Sequence, residues 1–119
     1  MNLKIFEHNN QKIAELTSDK VEINSLQDSL DLMASADYQG AHRVIIYEHN
    51  VHPDFFDLET KLAGDILQKY STYSMKLAIV GEFEKYQSNA LNAFIIECNR
   101  GNHIFFVEDA ENAGRMLTG

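Results

Sequence analysis

Histidine and aspartate side chains cluster in a short polar segment near the middle of the chain. His49 and His52 are three residues apart, and Asp54 and Asp57 follow them closely. Imidazole nitrogens and carboxylate oxygens are the ligand types that divalent metals use in proteins. Nothing in a loop makes these four side chains converge, so we favour a solvated turn without metal or cofactor. A metal-dependent enzyme, or a sensor for a metal or small ligand, is the alternative.

The same segment continues into an acidic and aromatic stretch that is typical of a protein-binding surface. Aromatic side chains dominate binding hot spots, and adjacent helical residues diverge by about 100°. We therefore expect one ring of the Phe55–Phe56 pair to be buried and the other to be exposed. The partner-binding residues that we predict are Asp54, Phe55, Phe56, Asp57, Glu59, Thr60 and Lys61.

The stretch also has a purely structural interpretation. Asp54 or Asp57 would cap the helix that follows, because a carboxylate at that position accepts a hydrogen bond from a free amide. Thr60 would then be a residue of the first helical turn.

Sequence motifs for several common chemistries are missing. The chain contains neither the Gly-x-Ser-x-Gly motif of serine hydrolases nor a Gly-x-Gly-x-x-Gly or Walker loop for nucleotides. Its one cysteine, Cys98, lies on an apolar helical stripe, where a thiol usually packs as a small hydrophobic group. We therefore predict that the chain is not an enzyme.

The bulk composition restricts the class of protein and its partners. The chain has 119 residues and a formal net charge of −8, which favours one domain and disfavours contact with nucleic acid or an anionic membrane. No apolar run approaches the roughly 20 residues of a membrane-spanning helix. The first residues resemble a strand rather than a signal peptide, so we expect a cytoplasmic protein.

Short apolar runs predict the strands that must position these side chains. Residues 3–6 and 13–16 flank a polar, asparagine-containing stretch and predict a β-hairpin. Residues 44–47, 77–80 and 104–107 are continuous and rich in β-branched or aromatic residues, which is typical of strands covered on both faces.

Helical spacing separates these strands. Ser25 with Asp28 three residues later predicts a helix start, and two further segments present apolar stripes at residues 58–70 and 91–98. Gly101 would end the third helix in a left-handed conformation, and residues 110–117 predict a last helix. The predicted fold is a single α/β domain over residues 1–119: an N-terminal hairpin followed by αβαβαβα, forming a mixed sheet with about four helices.

In such sheets, ligands and partners meet the chain at the carboxyl ends of the strands. Glu48 and the histidine segment follow the strand that ends at Tyr47, while Glu82 and Phe83 follow the next strand. The strand-to-helix junction at residues 54–64 (hereafter the junction) is therefore the working surface that we predict.

The element order and the junction resemble the STAS domain, the fold of bacterial anti-sigma factor antagonists and of sulfate-transporter C-terminal modules. The matching residues are Gly64, Ile66, Leu67 and Tyr70. The resemblance implies a STAS-like fold and regulation through binding to another protein. In that family the second hydroxyl residue of the junction is phosphorylated, and Lys61 occupies that position here. Thr60, one residue earlier, is the remaining candidate for phosphorylation, although the acidic side chains around it oppose added negative charge.

A second resemblance is to the short bacterial proteins of the family called domain of unknown function four-one-eight-zero. It is carried by residues 53–58, 62–69, 76–81 and 105–107. This resemblance implies no activity. The function we predict is a regulatory module that binds another protein through the junction and that could also form a homodimer through a free sheet edge.

Overall fold

Five strands and four helices follow one another in the predicted order. The computed structural model describes residues 1–119. The elements are β1 (Leu3–His8), β2 (Gln11–Leu16), α1 (Leu26–Tyr38), β3 (Arg43–Tyr47), α2 (Leu62–Thr72), β4 (Lys76–Val80), α3 (Asn89–Arg100), β5 (Ile104–Val107) and α4 (Ala110–Thr118). Three 3-10 turns, Glu48–Asn50, Pro53–Phe56 and Leu58–Thr60, connect β3 to α2.

The strands form one mixed sheet in the order β1-β2-β3-β4-β5. β1 pairs antiparallel with β2, and β2, β3, β4 and β5 are mutually parallel neighbours. This confirms the predicted α/β fold with its N-terminal hairpin. Because the four parallel strands point the same way, the segments that follow them all emerge at one edge of the sheet, the carboxyl edge.

The hairpin turn consists of two asparagines. Asn9 and Asn10 have φ angles of 52° and 64°, a left-handed conformation that asparagine tolerates better than most residues. Both strands extend closer to the turn than the sequence predicted, so that His8 lies directly opposite Gln11.

The helices are divided unequally between the two faces of the sheet. Right-handed crossovers that proceed in one direction across a sheet place their helices on one face. The larger buried cluster accordingly joins Val44 and Ile46 to residues of α1, α2 and α3. The smaller cluster joins Ile45 on the opposite face to Ala113 and Leu117 of α4. None of the four helices is long and apolar enough to cross a membrane.

Side-chain caps fix the starts of three helices. Ser25, Ser88 and Asp109 accept hydrogen bonds from amides in the first turns of α1, α3 and α4. The end of α3 differs from the prediction: Gly101 has a φ of −87°, so it is not left-handed. Gly101 is extended, its amide bonds to the carbonyl of Cys98, and residues 101–103 bend before β5 begins.

Candidate functional site

The largest opening at the carboxyl edge is a cleft of about 520 Å³, hereafter the strand-end cleft. Its walls come from the ends of the parallel strands and from the segments that follow them, including Val21 after β2. Aromatic side chains (Tyr47, Phe56 and Tyr86) and carboxylates (Glu48, Glu82 and Glu108) line it, together with Lys85 and Gly81. The strand ends that the sequence singled out therefore do meet in one place.

Glu48 lies at the centre of this cleft, with its side chain only 15 % exposed. Its carboxylate accepts a short hydrogen bond from the Tyr86 hydroxyl and lies 2.8 Å from the Lys85 ammonium. The backbone amide of Glu82 donates a third bond, at 3.3 Å. All three donors belong to the segment between β4 and α3, so Glu48 ties that segment to the end of β3.

The hydrogen bonds keep Glu48 ionised. Partial burial alone would raise the pKa of Glu48, but the bonds from Lys85, Tyr86 and the Glu82 amide outweigh burial and lower it. For Tyr86, burial and then the adjacent Glu48 carboxylate raise the pKa. At neutral pH the pair is therefore a carboxylate accepting from a neutral phenol.

A glycine makes this arrangement sterically feasible. A Cβ atom on Gly81 would lie 2.7 Å from both Cβ and Oε1 of Glu48, and 3.1 Å from the Phe83 ring. Real Cβ atoms do not approach other atoms so closely. The end of β4 must therefore lack a side chain for Glu48 to fold against it.

An aromatic stack supports the floor of the cleft. Phe56 and Tyr86 are stacked with their ring centroids 5.1 Å apart, and Phe83 lies 5.9 Å from Phe56. Phe83 also meets Phe106 of β5 edge to face at 5.2 Å. These contacts join the segments after β3 and β4 to each other and to β5 through ring packing, in addition to the polar contacts of Glu48.

A second set of contacts joins the cleft to the segment that follows β2. Asn50 is fully buried, and its amide group donates to the carbonyls of Ser18 and Lys20, both at 2.9 Å. Its side-chain oxygen accepts from the Tyr47 amide at 3.1 Å. One carboxamide therefore satisfies three backbone groups that would otherwise be costly to bury.

Tyr47, the last residue of β3, also lines the cleft. Its hydroxyl donates to Glu15 at 2.5 Å, and the His49 ring stacks on it with a centroid separation of 5.7 Å. Burial, with the bond to Glu15 as a second cause, raises the pKa of Tyr47 to about 12. The phenol therefore stays neutral under physiological conditions.

The predicted metal candidates are held by separate local contacts. His49 Nε2 is 2.9 Å from the carbonyl of Ser18. His52 Nδ1 accepts from the Asp54 amide at 3.0 Å and lies 3.7 Å from the Asp54 carboxylate. No group of three or more His, Cys, Asp or Glu side chains is arranged to hold a metal ion.

Both phenylalanines of the junction belong to the core. Phe55 is 1 % exposed and Phe56 is 7 % exposed, so the expectation that one ring would be free to contact a partner is wrong. The rings meet edge to face, 5.1 Å apart, within a tight 3-10 turn. Both rings belong to the larger buried cluster, and Phe56 also stacks on Tyr86 in the lining of the cleft.

The start of α2 also differs from the sequence interpretation. The helix begins at Leu62, and Lys61 precedes it with a left-handed φ of 66°. Asp57 caps the short turn Leu58–Thr60, and neither Asp57 nor Asp54 caps α2. The polar junction residues predicted to bind a partner (Asp54, Asp57, Glu59, Thr60 and Lys61) are all exposed, and none of them lines the strand-end cleft.

The Thr60 hydroxyl is occupied by contacts within the junction. It lies 2.6 Å from the carbonyl of Asp54 and 2.8 Å from that of Asp57, and it accepts from the Leu62 amide at 3.3 Å. Thr60 therefore joins the 3-10 turns to the first turn of α2. It precedes the helix rather than forming part of its first turn.

Two of the central residues were not found by sequence reasoning. Tyr86 lies in a polar loop six residues after the end of β4, and Asn50 lies in a polar stretch after β3. Their partners are distant in sequence, so no local pattern indicates them. The only signal was general: polar and aromatic residues that follow parallel strands gather at one edge.

A family model described as "Domain of unknown function (DUF4180)" matches residues 8–117. Comparison with curated proteins and with solved structures gave no match. The second of the two resemblances drawn from the sequence is thereby confirmed. The likeness to STAS domains stays a prediction.

Proposed function

The chain belongs to the DUF4180 family, whose description gives no activity, and we propose that it is a regulatory protein-interaction module rather than an enzyme. Its partner is a protein that presents a cationic segment. The segment binds at the carboxyl edge, across the strand-end cleft and along the exposed polar side of the junction.

The uneven distribution of charge is the observation that carries this proposal. The segments that follow the four parallel strands (17–24, 48–61, 81–88 and 108–109) contain ten acidic and three basic residues. They therefore account for −7 of the formal net charge of −8, and the rest of the chain is almost neutral. A field of one sign at one edge attracts a partner of opposite sign and accelerates its association.

The lining of the cleft suits a lysine or arginine side chain. Lys85 illustrates the chemistry, because its ammonium group contacts Glu48 and lies 5.5 Å from the centroid of the Tyr86 ring. Carboxylates and aromatic faces both attract cations. The exposed carboxylates of Glu82 and Glu108 offer the same kind of contact to a cation from outside.

The state of Glu48 supports recognition over acid–base catalysis. General bases work best when their pKa lies near the operating pH, whereas the pKa of Glu48 is lowered and its carboxylate already accepts from three donors. The resemblance to STAS domains implies the same class of function, since those domains act by binding other proteins.

Charge reversal tests the proposal. Affinity capture from the host organism would compare the wild type with a Glu82→Lys/Glu108→Lys variant. The matched control is Asp31→Lys/Glu97→Lys, which changes the net charge equally at exposed positions on α1 and α3. We expect the cleft variant to lose partners that the wild type and the control both retain.

Ionic strength gives an independent measurement once a partner is in hand. Association governed by exposed charges slows as salt increases, because the Debye length falls from about 10 Å at 0.1 M to about 3 Å at 1 M. The association rate of the wild type should fall steeply with salt. The proposal would be contradicted if the three proteins captured the same partners, or if the association rate did not change with salt concentration.

A further inference from the structure

The two outer strands of the sheet, β1 and β5, are protected unequally against pairing with another strand. At the β5 edge, the Asn99 carboxamide occupies both backbone groups of Phe106: it accepts from the amide at 2.8 Å and donates to the carbonyl at 3.2 Å. This side chain imitates the bonds that a neighbouring strand would make. Another strand cannot pair with β5 there without displacing it.

The β1 edge has no comparable cover. The amide of Thr17 bonds to the carbonyl of Asn2, and the register places Leu3 opposite Leu16. Since antiparallel strands alternate the direction of their backbone groups, Leu3, Ile5 and Glu7 direct theirs away from β2. None of these three residues takes part in a hydrogen bond outside the strand pairs.

The side chains of β1 do not prevent pairing either. The strand contains neither proline nor a bulge, which are common protections of free edges. Leu3, Ile5 and Phe6 are only half-buried, so another strand would cover apolar surface that the chain itself leaves partly open.

We propose that β1 pairs antiparallel with β1 of a second copy of this chain, with Ile5 on the two-fold axis. The two five-stranded sheets then form one continuous sheet. This inference concerns a surface other than the strand-end cleft and goes beyond the proposed partner binding.

This register is the one in which all three outward-facing residues of β1 pair with one another. Centred on Ile5, the pairing places Leu3 opposite the second copy's Glu7, and each of the three pairs exchanges two hydrogen bonds. Lys4 then faces the second copy's Phe6 on the other side of the sheet. No like charges are directly opposed, whereas a pairing centred on Glu7 would oppose two carboxylates.

Charge favours a second copy as the occupant of this edge. Residues 3–16 contain two acidic and two basic residues, so the hairpin is neutral within a strongly acidic chain. A two-fold axis perpendicular to the sheet also reverses the strand direction of the second copy. The two acidic carboxyl edges therefore lie at opposite ends of the dimer, where they repel each other least.

Disulfide trapping tests the register directly. In a Cys98→Ala background, the Ile5→Cys variant should form a covalent dimer under mild oxidation, because directly paired Cα atoms lie about 5.5 Å apart. The matched control is Glu7→Cys, whose two copies would be four residues out of register and about 13 Å apart along the strands. Equal cross-linking of the two variants, or none of the first, would overturn the proposal.

Sedimentation equilibrium gives the second readout. The wild type should have twice the chain mass of 13.6 kDa at micromolar concentration. Ile5→Pro should be monomeric, because proline removes an outward amide and leaves the bonds to β2 intact. Ile96→Glu, which alters an exposed apolar residue of α3, should leave the dimer unchanged. A monomeric wild type would refute β1 pairing, and so would an Ile5→Pro variant that folds and still dimerises. If Ile5→Pro does not fold, the cross-linking of Ile5→Cys and Glu7→Cys decides whether β1 pairs in this register.

Discussion

Glu48 is the residue on which the shape of the strand-end cleft depends most. It is the first residue after β3, yet its three donors all come from the segment after β4. A buried carboxylate is costly unless each oxygen finds a donor, and here the donors are sufficient to lower its pKa. Glu48 therefore holds the loop that follows β4 against the loop that follows β3.

The first prediction concerns how the stabilisation by the Glu48 carboxylate depends on pH. Glu48→Gln should lower the free energy of unfolding at pH 7 by about 1–2 kcal/mol, since bonds to an ionised group are stronger than neutral ones. A lowered folded-state pKa stabilises the protein above the ordinary value of 4.5, and this stabilisation is lost as the pH falls through the folded-state pKa. The deficit of the variant should therefore shrink between pH 6 and pH 3.

Urea unfolding of both proteins across that range measures the effect. Glu84→Gln is the control, because Glu84 is exposed and belongs to the loop between β4 and α3 that Glu48 holds. A deficit that stays constant with pH would show that the carboxylate charge is not what holds the loop.

The second prediction compares two glycines. Gly81→Ala should destabilise the protein by about 1–3 kcal/mol, because the new Cβ would lie 2.7 Å from Glu48 and one of the two must move. Gly64 lies within α2 with nothing within 4 Å of its added Cβ, so Gly64→Ala should stabilise by about 0.5–1 kcal/mol. Thermal unfolding distinguishes them, and two changes of the same sign would be inconsistent with the geometry.

At the scale of elements, the junction is a pair of 3-10 turns joined to α2 through a left-handed lysine. Thr60 is the side chain that connects these pieces, through contacts to Asp54, Asp57 and Leu62. A phosphate on Thr60 would remove the hydroxyl proton that is donated to these carbonyls. Modification there would therefore loosen the junction rather than merely add charge to it.

The third prediction follows from these contacts. Thr60→Val keeps the shape of the side chain but removes the hydroxyl, and it should cost about 1 kcal/mol of stability. Thr72→Val removes a hydroxyl that only bonds back to Gln68 within α2, so it should cost less. Hydrogen exchange should locate the loss of protection at residues 57–62. Equal costs with no local change would show that Thr60 does not organise the junction.

Local patterns were sufficient to predict most elements but not the junction. Continuous β-branched runs gave β3 and β4, and Ser25 gave the start of α1, because each signal resides within a few residues. The apolar spacing of Leu58, Leu62 and Ile66 suggested one helix from Leu58. That pattern records the spacing of apolar residues and not the backbone angles between them, so the break at Lys61 left no trace in it.

The site itself was predictable only as a location. The rule that functional groups gather at the carboxyl ends of parallel strands directed attention to the segment after β3, which contributes to the lining of the strand-end cleft. The contacts within the site join residues more than 30 positions apart, such as Glu48 with Tyr86 and Asn50 with Ser18. Such pairs depend on how the loops pack, which a single sequence does not specify.

At the scale of the whole molecule, the separation of charge is the dominant feature. Nearly all of the net negative charge lies at the carboxyl edge, while the hairpin and the opposite end are close to neutral. Clustered like charges destabilise a folded protein through their mutual repulsion. An edge of this kind is consistent with a compromise in which binding to a cationic partner is favoured at the expense of stability.

The fourth prediction tests that compromise without a partner. At low ionic strength, Glu82→Lys/Glu108→Lys should raise the melting temperature by roughly a few degrees, because it relieves repulsion among the carboxylates of the edge. The control Asp31→Lys/Glu97→Lys makes the same change in net charge away from the carboxyl edge, so its effect should be smaller. The difference should fade at about 1 M salt, where the Debye length is about 3 Å. If the cleft variant were no more stable than the control at low salt, the acidic edge would carry no energetic cost, and the charge argument for its role in recognition would lose its support.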